Sequence, residues 1–198
     1  YDAGAKQYYD FSFSPYGETI YSDGEGNTYP VPDKEINGYE GSSIRWKLIK
    51  APDGTGSYGD VDYVFAQDPD SDSDFTGAQE LWLYLNAYQY GDIPMYFRLS
   101  FEETDVTTAE REGCRMKSTD AYLLRDGETE RTQVTADEDG YILIDRAFCG
   151  WVCLPLESFS PYWSYTGQGN KQLDLFDVHQ FTFSFKTSAE AVGKSLYM

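Results

Sequence analysis

The stretch HQFTFSFK, residues 179–186, decides the fold: its phenylalanines recur at every second position. In an extended strand successive side chains point to opposite faces, so Phe181, Phe183 and Phe185 are expected to face a core. Thr182, Ser184 and Lys186 are then left on the other side. Working outward, IPMYFRLSF (93–101) alternates in the same way, with Met95, Phe97, Leu99 and Phe101 inward and Tyr96, Arg98 and Ser100 outward. ELWLYLNAY (80–88) sends Leu81, Leu83 and Leu85 inward and Trp82, Tyr84 and Asn86 outward. Further strands are expected at 9–13, 44–48, 61–65, 141–145 and 151–156. Gly, Asp, Ser and Pro clusters such as PDGTGSYGD (52–60), YGDIP (90–94) and DEDG (137–140) supply the turns between many of them. The one helical candidate is TTAEREG (107–113), where Thr107 and Glu110 are spaced for a capping box. Many short strands and almost no helix predict an all-β antiparallel β-sandwich, a jelly roll, with residues 1–198 forming one domain excised from a larger multidomain protein.

Composition narrows the partners. Asp and Glu number 34 against 15 Lys and Arg, a net charge of −19, so a phosphate backbone or an anionic membrane surface is repelled. No apolar run approaches the ~20 residues that a membrane-spanning helix needs, and no membrane insertion is expected. The three cysteines, Cys114, Cys149 and Cys153, are too few and odd in number for a disulfide framework. Along a strand Cys149 and Cys153 would share a face but lie roughly 13 Å apart at ~3.3 Å per residue, beyond disulfide reach. A bridge from Cys114 to one of them and three small buried thiols are both open. Three cysteines and the single His179 do not supply a tetrahedral zinc set at workable spacing.

Catalytic constellations are missing from the sequence. His179 begins a strand, no G-x-S-x-G elbow accompanies it, and no phosphate-binding loop precedes a helix. Glycoside hydrolysis needs only two carboxylates, but among so many acids no pair stands out. The run DPDSDSDF (68–75) begins like a calcium loop, yet Ser73 and Gln79 stand where such a loop needs Gly and Glu, so an acidic solvated turn is expected. A structural calcium elsewhere stays open, and no other cofactor is expected.

The aromatic residues carry the functional expectation, with 18 Tyr, 12 Phe and 4 Trp. A sugar ring presents an apolar C–H face, so polysaccharide binders set exposed Trp and Tyr beneath it and use amides, carboxylates and guanidinium groups for the hydroxyls. Three places fit. Trp82, Tyr84, Tyr96 and Arg98, with Asn86, are expected together on an outer sheet face. The loop LNAYQYGD (85–92) offers Tyr88 and Tyr90. The loop SPYWSYTGQGN (160–170) offers Tyr162, Trp163 and Tyr165 with Gln168 and Asn170, and Pro161 and the Gly, Ser and Gln around it favour an exposed Trp163. The competing expectation is that these rings fill a core, as most aromatics do.

The order GAQELWLYLN (77–86), PMYFRLSFEE (94–103), FCGWVCLPLESF (148–159), LDLFDVHQFTFSFK (173–186) and GKSLYM (193–198) resembles a group of β-sandwich carbohydrate-binding modules and related jelly rolls. These belong to secreted polysaccharide-degrading enzymes and to cellulosome- and amylosome-type systems of anaerobic bacteria. G-W-V-x-x-P-L within 150–156 is the most specific segment. The resemblance implies a fold and a class but no individual binding residues, because ligand sites vary across the group. Two departures stand out: cysteines flank Trp151, and the sequence stops at Tyr197-Met198 where the group continues into an acidic pair that can hold a structural calcium. The expectation is a non-catalytic domain, extracellular or at a bacterial cell surface, monomeric within its chain, binding a glucan such as starch or a plant β-glucan. A cell-surface adhesion or scaffold domain that meets a protein is the alternative, and a small β-sandwich glycosidase or lyase a more distant one.

Overall fold

The computed structural model describes the backbone of residues 9–15, 20–22, 28–30, 42–48 and 57–64 and, from residue 74 to the C-terminus, everything but Arg146 and the side chains of His179 and Gln180. The expected calcium-like run at 68–73 and the His179 side chain therefore lie outside the described residues. In chain order the strands are β1 (Tyr9–Pro15), β2 (Ile20–Ser22), β3 (Thr28–Pro30), β4 (Ser42–Leu48) and β5 (Ser57–Val64). Then follow β6 (Glu80–Asn86), β7 (Met95–Thr104), β8 (Arg111–Met116), β9 (Asp120–Arg125) and β10 (Thr132–Thr135). The last are β11 (Ile142–Ile144), β12 (Cys149–Pro155), β13 (Phe159–Ser164), β14 (Val178–Thr187) and β15 (Ser195–Tyr197).

Two antiparallel sheets pack face to face, so the all-β sandwich expected from the alternation is what forms. The larger runs β1-β4-β15-β6-β12-β9-β10 and the smaller β13-β8-β7-β14-β5, with β11 also paired to β7. The register of β14 on β7 explains why the phenylalanine pattern is so regular. Phe181 opposes Phe101, Phe183 opposes Leu99 and Phe185 opposes Phe97, and all six side chains are buried. The rings of Phe97 and Phe185 lie 5.4 Å apart and those of Phe101 and Phe159 5.0 Å apart. Burying each such side chain stabilises the fold by about 1.5–3 kcal/mol. From the larger sheet Leu85, Leu123, Val152, Leu154 and Leu196 close the same core.

Several expectations need correction. Residues 107–113 form no helix: Asp105 Oδ1 accepts from the backbone N–H groups of Thr107 and Thr108, and the Ala109 N–H closes a single turn on the Asp105 carbonyl. Ala109 then turns left-handed at φ 56°, and β8 starts two residues later. Propensity yields because Glu110 finds better donors than Thr107 in the segment after β13. In SPYWSY, residues 160–164 belong to a strand rather than a loop, and only Tyr165 lies beyond it. β13 runs along the edge of the smaller sheet, where a proline with no N–H to offer is tolerated, and its register slips between Pro161 and Trp163 so that Tyr162 is the extra residue of a bulge. Finally, all three cysteines are free. Cys114 faces the core from β8, whereas Cys149 and Cys153 stand opposite Asn86 and Trp82 on the far side of the larger sheet, so no bridge from Cys114 can form.

Candidate functional site

The ladder β7-β8-β13 builds the site. Glu102 pairs with Gly113, and Gly113 pairs with Trp163, so all three lie in one row on the outer face of the smaller sheet. The row needs its glycine: a Cβ on Gly113 would overlap the indole ring, so Trp163 lies flat across the bare backbone of β8. Tyr162 meets Trp163 edge to face with ring centres 6.4 Å apart. The Arg115 guanidinium lies 4.4 Å from the Tyr162 ring centre and also bonds the Glu138 carbonyl, which holds that ring against the sheet.

Beyond Trp163 the chain leaves the strand, and Tyr165 stands 82% exposed. Trp163, Tyr165, Thr166 and Gln168 form one wall of an open groove of about 680 Å³; Glu102, Thr108, Glu110 and Arg111 contribute to its lining from β7 and the turn into β8. Arg111 Nη1 lies 3.9 Å from Glu102 Oε2. The groove thus combines two aromatic rings with hydroxyl, amide, carboxylate and guanidinium groups, and its size suits one or two small rings.

Carboxylates tie down the segment that carries this wall. Glu110 accepts from the backbone N–H and hydroxyl of Thr166 and from the Gln168 N–H. Those bonds outweigh the cost of desolvation and hold Glu110 below the usual carboxylate range. Asp105 accepts from Thr107, Thr108 and both the backbone and side-chain nitrogens of Asn170; burial opposes its charge, yet the donors keep it acidic. Asn170 also donates to Asp174 at 2.9 Å. Glu112 takes the Lys171 N–H at 3.3 Å from either oxygen and packs so closely on Gly169 that a Cβ there would displace its carboxylate.

The expected site residues scatter over the molecule. Trp163, Tyr165 and Gln168 come together in the groove, with Tyr162 beside them; Trp163, however, is half-buried rather than exposed as expected, because its indole lies down on the bare backbone at Gly113. Asn170 is a clamp inside the acidic cluster, so it does not serve the groove. The single outer face imagined for Trp82, Tyr84, Tyr96 and Arg98 divides in two, because the chain crosses from the larger sheet to the smaller between β6 and β7. Trp82, 41% exposed, and Tyr84 pack on Trp151 with ring centres 6.1 and 5.5 Å from it, and Arg131 caps Trp82 at 4.5 Å. Burial, with Asp126 accepting the Tyr84 hydroxyl, pushes the Tyr84 phenol well up. On the smaller sheet Tyr96 is exposed, while Arg98 stacks 4.6 Å over Tyr141 and donates to Ser184. Tyr88 is exposed, but Tyr90, 2% exposed, belongs to the core, and Asn86, 1% exposed, accepts from the Tyr88 N–H and the Cys149 thiol. Neither Tyr90 nor Asn86 can reach a ligand, since the short 3-10 turn at 88–90 folds that corner inward.

Glu102, Glu110 and Arg111 were missed as site residues. Glu102 was legible as an outward position next to Phe101, but only the hairpin turn brings Glu110 and Arg111 to the same groove. Among the described residues no three His, Cys, Asp or Glu side chains converge as a metal site, and no helix is long and apolar enough to cross a membrane. No protein-family model matches the chain, and neither a curated protein nor a solved structure matches it.

Proposed function

We propose that this chain is a non-catalytic glycan-binding domain whose ligand lies in the Trp163–Tyr165 groove. The observation that carries this is the pairing of a flat, backbone-supported indole with a solvent-exposed tyrosine in an open groove rimmed by Gln168, Thr166, Glu102 and Arg111. Rings of low side-chain entropy can stack on pyranose C–H faces while the rim takes the hydroxyls. The strand order supports a jelly-roll reading: β4-β15-β6-β12 faces β5-β14-β7-β8, the interleaving of two Greek keys. Together with the G-W-V-x-x-P-L segment this favours kinship with the carbohydrate-binding modules of secreted bacterial polysaccharide-degrading systems, a neutral glucan as ligand and an extracellular place of action. A net charge of −19 disfavours polyanionic glycans.

Affinity electrophoresis against starch, mixed-linkage β-glucan, xylan and pectin tests the proposal. At least one neutral glucan should retard the wild type, and Tyr165→Ala, which removes an exposed ring, should abolish retardation while leaving the urea midpoint unchanged. Retardation by none of them would sink it, and release of reducing ends from any of them would turn the chain into an enzyme. The second reading, a protein-docking domain, has its own observation in the Trp82–Trp151–Tyr84 patch on the opposite sheet. Capture of a scaffold protein that Trp82→Ala abolishes and Tyr165→Ala spares would favour it.

A further inference from the structure

Where the segment 165–177 crosses the end of the β7–β8 hairpin, four carboxyl groups are gathered at the rim of the core. Glu103 and Glu112 face each other directly across the ladder, both core-facing and both buried. Asp105 is equally buried, and Asp174 lies beside them. No ion pair reaches any of the four among the described residues. Their supply of donors is unequal. Asp105 has five hydrogen bonds, from Thr107, Thr108 and Asn170. Among the described residues Glu112 has only the Lys171 N–H. Glu103, 0% exposed, has the Cys114 thiol at 3.7 Å from Oε1 and the Asp174 backbone alongside, while its Oε2 has no hydrogen-bond partner among the described residues. Like charges directly opposed across a ladder repel, and a buried carboxylate without donors is unfavourable, so the proton belongs on Glu103.

We propose that Glu103 is a proton-operated latch on the groove: protonated, it leaves Glu112 and Asp105 free to hold residues 169–171, and ionised, it repels Glu112 and Asp174 and loosens the wall that carries Tyr165 and Gln168. The connection is short. The residues clamped by Asp105 and Glu112 follow directly on Thr166 and Gln168, which Glu110 clamps and which line the groove. Among the described residues the titratable groups that act on Glu103 are Glu112 and Cys114 from β8 and Asp174 from the crossing segment, while Asp105 from the turn acts on Glu112. Burial, reinforced by the charges of Asp174 and Glu112, pushes Glu103 up to about 8. The same burial raises Glu112, and Cys114 is held as a neutral thiol. The latch therefore opens at mildly alkaline pH. Its effect on ligand rests on the groove being the binding site, whereas its effect on the segment does not.

Hydrogen exchange of the Thr166, Gln168 and Lys171 amides, corrected for the intrinsic pH dependence of exchange, tests the latch between pH 6 and 9.5. Each pH unit above the Glu103 transition changes the opening equilibrium by up to about tenfold, so wild-type protection should fall tenfold or more by pH 9.5. In Glu103→Gln it should stay flat. Should that variant fold poorly, Glu112→Gln serves instead: it removes the facing charge, so the fall should shrink and move to lower pH. Protection that stays constant with pH in the wild type, or falls equally in Glu103→Gln, overturns the latch. So does calcium chloride at millimolar concentration abolishing the pH dependence, since a cation would then be what neutralises the cluster. Retardation by the best-retaining glucan, run in parallel, separates the two proposals: a pH step in protection with no retardation at any pH leaves the latch standing and removes the binding function.

Discussion

Replacing Gly113 by alanine is the sharpest perturbation of the groove. Gly113 lies outside the left-handed backbone region, so alanine meets no backbone strain there and, other things equal, stabilises by about 0.4–1 kcal/mol through the unfolded chain. Against this stands the indole of Trp163, which occupies the place a Cβ would take. Forcing one extra methyl into such a contact costs about 1–3 kcal/mol, so after the gain through the unfolded chain Gly113→Ala should destabilise by up to about 2.6 kcal/mol net. In a Trp163→Ala background the obstacle is gone, and the same substitution should become neutral or stabilise by a few tenths to about 1 kcal/mol. Urea denaturation of the four proteins in this cycle measures the coupling, expected at about 1–3 kcal/mol. Glucan retardation should weaken in Gly113→Ala because the ring has been lifted from its shelf. A coupling below about 0.5 kcal/mol would refute the idea that the glycine exists to seat the ring.

Three further outcomes follow from the interior and from the opposite sheet. Glu103 keeps its proton in the fold up to about pH 8 but loses it near 4.5 when unfolded, so the native state binds the extra proton between those values. Stability should therefore fall as pH rises across that window and level off above it, and Glu103→Gln should be more stable than wild type at pH 7 by on the order of 1–3 kcal/mol; equal thermal midpoints at pH 5 and pH 8 in the wild type would contradict this. Arg131→Ala removes the cation over Trp82 and a 2.7 Å ion pair with Glu80, and should cost about 0.5–1.5 kcal/mol, part of which disappears in 1 M salt when measured by urea denaturation. Of the three thiols only Cys149 is not fully buried, and burial raises all three, so Ellman's reagent should label Cys149 first in the native protein and all three in urea; Cys114 labelled as fast as Cys149 would overturn its placement in the core.

How much of the site was legible in the sequence depends on which step supplied each residue. Breaker-rich surroundings made Tyr165 and Gln168 readable as exposed, whereas Trp163 lies in edge strand β13 and is half-buried on Gly113; the three nevertheless share the groove. Tyr90 and Asn86 looked equivalent to Tyr88 by composition, but one 3-10 turn sends neighbouring rings to opposite fates. TTAEREG carried the local signature of a helix start, and the Asp105 turn with the Glu110 clamp overrode it, because tertiary donors satisfied both carboxylates better than a two-turn helix could. A bridge from Cys114 to Cys149 or Cys153 stayed open in the sequence until the two sheets separated Cys114 from both.

By itself the sequence determined the alternation, and with it the inward rows Met95–Phe101 and Phe181–Phe185, because side-chain direction in a strand is a property of the backbone with period two. It also determined the sandwich class, since so many half-apolar strands can bury their faces only against one another. Only the tertiary structure decided which sheet each strand joined, and so which outward residues became neighbours. That information resides in pairing between distant segments: Glu102, Gly113 and Trp163 form one row, and Glu103, Glu112 and Asp174 one buried cluster, through contacts across the ladder and the crossing segment that no local pattern encodes.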